Sequence, residues 1–282
     1  MIHFAMNLTL TERYLCGYHD TNPGVTSRSF AALPVTNGTA SYASTYCALL
    51  ATLPDGTAPS TVLDLACGDG HLLGLLADSH PSHTLIGIDL SDGELCAARA
   101  RLGDRVTLMR GKARQLPLPA AAVDAIVSHL ALMLMDDAEA VIVELHRVLR
   151  PGGMLAGLVG ARPPPNPVLD AFIRLYPAAS QRAEFAGIRF GDRRFRSQDG
   201  IAELLAAGFD SLQFETLTLA RDRTPAQIWD WFSDMYDTDL LTPAALAHFQ
   251  CEYLQALQPL CAPSGTLLCE DRYLLFSARA LA

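Results

Sequence analysis

The residues best placed to bind a ligand lie in the segment 61–70, which reads TVLDLACGDG. Its apolar residues predict a short parallel strand that is buried on both faces. Asp64 lies towards the end of this strand, where a buried carboxylate needs a polar partner. Gly68 and Gly70 have no Cβ, so backbone amides can come close to a ligand there. Because a helix over 71–79 is predicted to follow, the turn lies at the carboxyl end of a strand, where open α/β sheets bind ligands.

The spacing of these residues narrows the choice of ligand. A phosphate-binding loop would end in Gly-Lys-Ser or Gly-Lys-Thr, and the segment has no such ending. A dinucleotide site would read Gly-x-Gly-x-x-Gly, whereas the pattern here is Asp64-x-Ala66-x-Gly68-x-Gly70. The spacing therefore disfavours both a nucleoside-triphosphate site and an NAD-dependent reductase.

Two further strands are predicted to end in residues that can reach the same ligand. These residues are Asp89 at the end of the strand 84–89 and His129 at the end of the strand 123–129, and another strand is predicted over 106–110. Asp89 follows the glycine turn by about twenty residues, a placement that suits a carboxylate accepting hydrogen bonds from two ribose hydroxyls. Since the carboxyl ends of parallel strands border one crevice, we expect these residues to surround one ligand.

Hydrophobic periodicity and capping residues predict the remaining elements. Helices are expected from Ser91 or Asp92 onward and over 138–149, 168–176 and 198–207, and strands over 154–159, 211–219 and 272–278. The proline run 163–167 is predicted to break all regular structure. Thr224-Pro225 and Thr242-Pro243 each predict a helix start. The apolar stripes of these two helices are expected to face the ligand side of the sheet, as a cap over about 224–262.

These motifs resemble those of class I S-adenosylmethionine (SAM)-dependent methyltransferases. The first motif of that family is usually Asp/Glu-x-Gly-x-Gly-x-Gly, and Ala66 stands in the place of its first glycine. The turn 149–153, which reads LRPGG, is another frequent family feature. The resemblance covers residues 45–160 closely. It implies a Rossmann-like α/β fold, a seven-stranded sheet whose last strand is antiparallel, with an N-terminal lid and a helical cap insertion. The implied cofactor is SAM, without a metal.

The resemblance also implies roles for individual residues. Asp89 would hold the ribose, and Leu90 would lie against the adenine. The family usually has an aspartate where Lys112 stands, reading the adenine amino group, so this contact would fall to the backbone of Ala113. The predicted cofactor-binding residues are Asp64, Ala66, Gly68, Gly70, Asp89, Leu90, Lys112, Ala113 and His129.

The chain is expected to form one domain in three parts. Residues 1–45 form a lid, residues 46–161 form the SAM-binding half, and residues 162–282 complete the sheet and carry the cap. Tyr18 and His19 of the lid are the predicted catalytic residues. Histidine is a side-chain type suited to act as a general base near neutral pH, although a base is needed only where the nucleophile holds its proton. Placing that nucleophile in line with the methyl group can itself supply roughly 7–11 kcal/mol.

Composition disfavours several kinds of partner. The 282 residues include 21 basic and 30 acidic side chains, a net charge of −9, which disfavours binding of nucleic acid. No apolar run is long enough to predict a membrane span, and no signal peptide is apparent. Seven scattered cysteines without a Cys-x-x-Cys pair indicate buried thiols in a reducing cytoplasm. The oligomeric state is not predicted.

The expected function is methyl transfer from SAM to an oxygen, nitrogen or sulfur atom of a small molecule, as in stand-alone bacterial enzymes of secondary metabolism. One alternative is the formation of a methyl ester on a carboxylate. An alternative from another class is a SAM-binding protein without transferase activity, either pericyclase-like or regulatory. Formation of S-adenosylhomocysteine with candidate acceptors distinguishes transfer from binding alone.

Overall fold

The computed structural model describes residues 7–54, 58–162, 164–176, 179 and 181–282. Residues 1–6 of the predicted lid and Pro163 of the predicted break lie outside these described residues. The chain forms two compact units. The first combines Met1–Arg162, Arg189–Leu217 and Tyr273–Ala282, and the second combines Pro163–Ile188 and Thr218–Arg272. The predicted lid and SAM-binding half fall in the first unit, and the predicted cap falls in the second.

A mixed, mostly parallel sheet organises the fold, and most of its strands lie in the first unit. Its strands are β1 (Val35–Thr36), β2 (Ser41–Tyr42), β3 (Thr61–Leu65), β4 (Thr84–Asp89), β5 (Thr107–Arg110), β6 (Val123–His129), β7 (Leu149–Gly160), β8 (Phe209–Arg223) and β9 (Leu267–Ala280). In the described part of the chain these nine strands are ordered β2-β1-β8-β9-β7-β6-β3-β4-β5. Strand β9 is antiparallel to β7, as predicted for the last strand. The predicted fold class is confirmed, and the hairpin β1–β2 adds two short strands to the predicted seven.

Parallel register brings the predicted ligand-binding residues to one edge of the sheet. Asp64 of β3 lies opposite Gly87 of β4 and Val127 of β6. Asp89 is the last residue of β4 and His129 is the last residue of β6, so both lie at the carboxyl edge, beside the turn that follows β3. Buried branched residues of these strands fill the core, which explains why the strands read as apolar runs.

Helices follow most of the strands. They are α1 (Leu10–Thr21), α2 (Val25–Phe30), α3 (Thr45–Leu50), α4 (His71–Ser79), α5 (Asp92–Leu102), α6 (Ala138–Val148), α7 (Pro167–Leu175), α8 (Gln198–Leu205), α9 (Pro225–Ser233), α10 (Tyr236–Asp239) and α11 (Pro243–Leu257). Helix α4 has the predicted bounds. Helix α5 begins where predicted, because the Ser91 hydroxyl accepts a hydrogen bond from the Glu94 amide and caps it.

Strand β7 begins earlier than predicted. Leu149, predicted as the last residue of a helix, pairs with Val123 instead, and pairing resumes between Met154 and Ala125. The intervening residues bulge out of the ladder, and Gly152 adopts a φ of 74°, which glycine takes without a steric penalty. The LRPGG segment is therefore a bulge within β7 rather than a turn before it.

The second unit has an apolar core of its own. Thr224 and Thr242 cap α9 and α11, as predicted. Buried residues of these helices and of α7 form one cluster, which includes Phe172, Ile228, Trp229, Phe232, Phe249 and Tyr253. The apolar partner that was expected on the ligand side of the sheet is thus supplied within the unit itself.

Helix α7 corrects the prediction that the proline run breaks all regular structure. Pro167 is the first residue of the helix, and the Asn166 side chain caps it by accepting a hydrogen bond from the Val168 amide at 2.9 Å. A proline is tolerated there because the first helical amides have no partner within the helix.

Candidate cofactor and active site

The turn between β3 and α4 alternates left-handed residues. Ala66, Gly68 and Gly70 have φ values of 57°, 52° and 75°. A Cβ on Gly70 would lie 2.6 Å from Leu102 of α5, so glycine permits close packing of the turn against that helix. Alanine at position 66 accepts the left-handed conformation at a cost of about 1–2 kcal/mol. The predicted motif therefore marks three positions with the same backbone requirement.

Asp89 links this turn to the start of α5. Its Oδ2 accepts a hydrogen bond from the Gly68 amide and its Oδ1 accepts one from the Ser91 amide, both at 2.9 Å. Burial raises the pKa of the Asp89 carboxyl, and the two amides oppose that rise. Because a carboxylate has about four lone-pair positions, both oxygens can accept further hydrogen bonds from a ligand. The contact of Asp89 with a ribose stays a prediction.

Asp64 is a buried acid with an unfilled hydrogen-bonding position. The residue is 2% exposed, and its Oδ2 has no hydrogen-bond partner among the described residues. Burial raises the pKa of the Asp64 carboxyl well above its usual range, and the charges of Asp89 and Asp69 raise it further. A donor or cation placed beside this oxygen would satisfy it and would favour the carboxylate.

His129 lies in a buried cluster of side chains that the sequence did not predict. Its ring stacks on Tyr46 of α3 with centroids 3.6 Å apart, and its Nε2 lies 2.9 Å from the Thr45 hydroxyl oxygen. Its Nδ1 is buried without a hydrogen-bond partner in the described part of the chain. The ring of His71, the first residue of α4, makes an edge contact with the Tyr46 ring, with centroids 4.7 Å apart. Residues from β6, α3 and α4 thus meet beside the glycine turn.

The burial of His129 predicts a specific dependence of stability on pH. Burial, with a smaller contribution from His71, lowers the pKa of His129 to about 3. An unfolded imidazole takes up its proton below about pH 6.5, so His129 contributes stability that is complete above pH 6.5 and lost as the pH falls towards 3. Between pH 6.5 and 4.5 the expected loss is about 2 kcal/mol in the free energy of unfolding.

Urea unfolding of His129→Gln and the parent protein across this pH range measures that contribution. We expect a shallower loss of stability in the variant, while His248→Gln follows the parent, because the side chain of His248 is 75% exposed. Equal pH slopes in His129→Gln and the parent would contradict the assignment of a neutral, buried imidazole.

The predicted lid residues lie against α5. His19 Nδ1 lies 2.8 Å from Glu94 Oε1, and Glu94 Oε2 accepts a hydrogen bond from the Gly24 amide at 2.8 Å. Asp20 accepts hydrogen bonds from the Ser91 hydroxyl at 2.6 Å and the Gly93 amide at 3.0 Å. Helix α1 is therefore attached to the same helix start that holds the Asp89 carboxylate.

Tyr18 is more buried than its predicted catalytic role suggests. The residue is 8% exposed, and its ring packs on Tyr14 at 6.2 Å between centroids. Tyr14 in turn contacts Phe190 at 5.6 Å. This arrangement gives Tyr18 a packing role within the first unit, alongside the catalytic role that stays a prediction.

Lys112 contacts the lid. It is 9% exposed, its ammonium lies 2.9 Å from Glu12 Oε2 of α1, and it also contacts the Asn7 carbonyl oxygen. Leu90 is likewise tied to this region through its carbonyl oxygen, which accepts hydrogen bonds from Arg110 Nε and the Cys16 thiol. Ala113 packs against the core of the first unit. Their predicted adenine contacts stay predictions.

Glu94 is the residue of this region that sequence reasoning missed. Its spacing from Ser91 is that of a capping box, in which a glutamate side chain turns back to the cap amide of its own helix. Here the carboxylate is 2% exposed and binds Gly24 and His19 instead. The local pattern gave no sign of these partners, because they lie far away in the sequence.

Among the described residues, no group of three or more His, Cys, Asp or Glu side chains could hold a metal ion. Within the same residues, no helix is both long and apolar enough to cross a membrane.

The chain is similar in sequence to known methyltransferases. Residues 62–153 match the family model described as a methyltransferase domain. A malonyl-(acyl-carrier protein) O-methyltransferase from Methylococcus capsulatus is 38% identical over 103 residues, which are 36% of this chain and 38% of that protein. A demethylmenaquinone methyltransferase from Thermus thermophilus is 30% identical over 177 residues, which are 57% of this chain and 79% of that protein. A U6 snRNA (guanine-N(2))-methyltransferase from Mus musculus is 33% identical over 130 residues, which are 43% of this chain and 25% of that protein.

A solved structure shows the same fold. The crystal structure of a candidate methyltransferase from Bacillus halodurans C-125 matches with a TM-score of 0.59 at 18% identity, over 84% of this chain and 99% of that one. This likeness shows the fold, and the family follows from the Thermus relative, which is 30% identical over 79% of its length. The chain belongs to the class I SAM-dependent methyltransferase family, and it is a SAM-dependent methyltransferase.

Proposed function

We propose that this enzyme transfers the methyl group of SAM to an oxygen, nitrogen or sulfur atom of a small-molecule acceptor. The observation that carries the proposal is the pair of carboxylates at the carboxyl edge of the sheet. Asp89 is fixed by two backbone amides, and Asp64 is buried with an unfilled acceptor atom. These groups fit a ligand that offers ribose hydroxyls to the first and an ammonium to the second.

The residues at the carboxyl edge of the sheet and those of the lid have different proposed roles. When bound, SAM supplies a methyl group that its sulfonium has already activated. The chain must hold that ligand, exclude water and orient the nucleophile. We assign the first task to the residues predicted to bind the cofactor, which are Asp64, Ala66, Gly68, Gly70, Asp89, Leu90, Lys112, Ala113 and His129. We assign the exclusion of water to the lid.

His19 is the candidate general base for acceptors that hold a proton. A carboxylate beside Nδ1 favours the tautomer with its proton on Nδ1, and the Glu94 carboxylate is 2.8 Å away. The lone pair is then on Nε2, which would take the proton of the acceptor. Tyr18 is the second candidate, for contact with the sulfonium or the carboxylate of SAM.

The acceptor class rests on charge and on relatives. The net charge of −9 supports a small molecule over nucleic acid, although one relative is named for its action on U6 snRNA. The name of the malonyl O-methyltransferase supports a second candidate, the formation of a methyl ester on a carboxylate. All seven cysteines are free, but Cys96 and Cys251 are exposed and not buried as predicted. Free thiols support a reducing cytoplasm as the compartment of the enzyme. Its proposed place is in secondary metabolism, and its proposed reaction uses no metal.

Labelled SAM and a panel of acceptors test this function. The panel pairs each phenol, amine, thiol and carboxylic acid with a blocked analogue, and it includes an RNA oligonucleotide. We expect S-adenosylhomocysteine to form with at least one small molecule and not with RNA. We expect His19→Gln to lower kcat by about 10²-fold or more for a protonated acceptor, as loss of a general base does, with His248→Gln as the control.

The results separate the candidates. A label found only in esters would favour the second candidate. SAM binding without S-adenosylhomocysteine from any acceptor would contradict the proposal and favour a SAM-binding protein without transferase activity.

A further inference from the structure

Two arginines of the second unit share one aromatic ring. Arg221 and Arg223 are alternate residues of β8, so their side chains leave the same face of the strand. Their guanidinium carbons lie 5.0 Å and 4.5 Å from the centroid of the Trp231 indole ring. Trp229 of α9 is buried in the core of this unit, and Trp231 is partly buried against that core. The Trp231 ring also lies beside both guanidinium groups.

Neither cation has an anionic partner in the described part of the chain. No described carboxylate oxygen lies within 4.0 Å of either guanidinium. Arg221 Nη2 is buried without a hydrogen-bond partner among the described residues, and Arg223 is only 8% exposed. The nearby acid Asp271 does not pair with Arg223, and burial raises the pKa of its carboxyl despite that positive charge.

The missing partners do not reflect a shortage of acids. Acidic residues outnumber arginines in this unit. Arg182 pairs with Asp239 at 2.8 Å, and Arg272 pairs with Glu270 at 2.8 Å. The unit therefore pairs arginines elsewhere and leaves these two cations together.

Two neighbouring cations need a counter-charge. Burying a guanidinium costs more than the attraction of an aromatic ring returns, and a second cation beside it adds repulsion. Two planar guanidiniums offer forked donors that match the oxygens of a carboxylate or a phosphate. An oxyanion that accepts hydrogen bonds from these forked donors would satisfy the buried Nη2 and offset the positive charge.

We propose that Arg221 and Arg223, supported by Trp231, form a binding site for a small oxyanion, a carboxylate or a phosphate group. The site stands on the geometry of the second unit alone.

Tryptophan fluorescence provides a direct test with citrate and inorganic phosphate as probes. The chain has two tryptophans, so Trp229→Phe leaves Trp231 as the only reporter. In this parent we expect a saturable change in emission with citrate or phosphate that sodium chloride of equal ionic strength does not produce. Arg221→Gln and Arg223→Gln should each raise the half-saturation concentration at least about tenfold. Arg174→Gln, an exposed arginine of α7, should leave it unchanged.

Arg223→Lys keeps the charge without the fork and provides a check if Arg223→Gln unfolds. We expect it to bind the probes with intermediate affinity. Equal affinity in the parent and the Arg221 and Arg223 variants, or a response that chloride reproduces, would overturn the site.

A separate readout distinguishes this proposal from the proposed function. SAM affinity by calorimetry should be unchanged in the Arg221 and Arg223 variants. Loss of anion binding in these variants with unchanged SAM affinity would support the site. Failure of the parent to form S-adenosylhomocysteine would contradict the proposed function and leave the anion site.

Discussion

Asp89→Ala is expected to weaken SAM binding at least about tenfold. Ribose hydroxyls donating to this carboxylate would form charge-assisted hydrogen bonds worth about 1.5–3 kcal/mol each, and 1.4 kcal/mol corresponds to a factor of ten. The substitution also removes the acceptor that fixes the Gly68 and Ser91 amides, so the turn loses its orientation. Calorimetric titration of the purified variant with SAM measures the loss.

The control for this prediction is Asp78→Ala, an acid of α4 whose side chain is 73% exposed and pairs with Arg105. A surface ion pair contributes at most about 1 kcal/mol, so SAM affinity should stay at the parent value. Thermal melting of both variants shows whether they fold. Unchanged SAM affinity in a folded Asp89→Ala protein would contradict the assignment of Asp89 to the ribose.

The carboxyl edge of the sheet could be predicted because each of its strands carries its own signal. Strands β4 and β6 have the predicted bounds, since branched apolar runs and the polar residues that end them are local features. Parallel pairing then aligns the strand ends without further information. The proximity of Asp64 and Asp89 therefore followed from the strand pattern and a general rule of α/β sheets.

Contacts between distant segments could not be predicted in the same way. Nothing in the local sequence around Tyr46 indicates that it stacks on His129, or that Glu94 binds the Gly24 amide. Lys112 was considered only against the adenine, yet its ammonium meets Glu12 of α1. In each case the side chain contacts a residue that is distant in the sequence. Such contacts depend on the fold of the whole chain, which hydrophobic periodicity does not predict.

The second unit shows the same limit at a larger scale. The helix starts at Pro225 and Pro243 were predicted because threonine caps and proline at the first position are local signals. The element that covers their apolar stripes was not predicted, because a stripe indicates that a helix face is buried and does not indicate what covers it. Helix α7 and the two helices cover one another, and this leaves Trp231 beside the arginines.

Gly93→Ala is expected to detach α1 from α5 and to lower SAM affinity about tenfold. A Cβ at Gly93 would lie 2.8 Å from both the Cα and the carbonyl oxygen of Asp20, and a helix backbone cannot move aside as a flexible side chain can. Overpacking of this kind costs about 1–3 kcal/mol. Alanine favours a helix over glycine by roughly 1 kcal/mol, so the substitution should not weaken α5 itself. Faster hydrogen exchange in α1 would therefore come from the collision.

Hydrogen exchange with and without S-adenosylhomocysteine measures this detachment over residues 10–21. In the parent we expect slow exchange that slows further with ligand, because closure over the cofactor would be reinforced by the contacts of His19 and Asp20 with α5. In Gly93→Ala we expect fast exchange. Gly17→Ala is the matched control, because a Cβ on this residue of α1 has no neighbour within 4 Å among the described residues and alanine favours the helix. If Gly93→Ala exposes α1 to fast exchange and still binds SAM as the parent does, α1 is not a lid and His19 loses its support as the base.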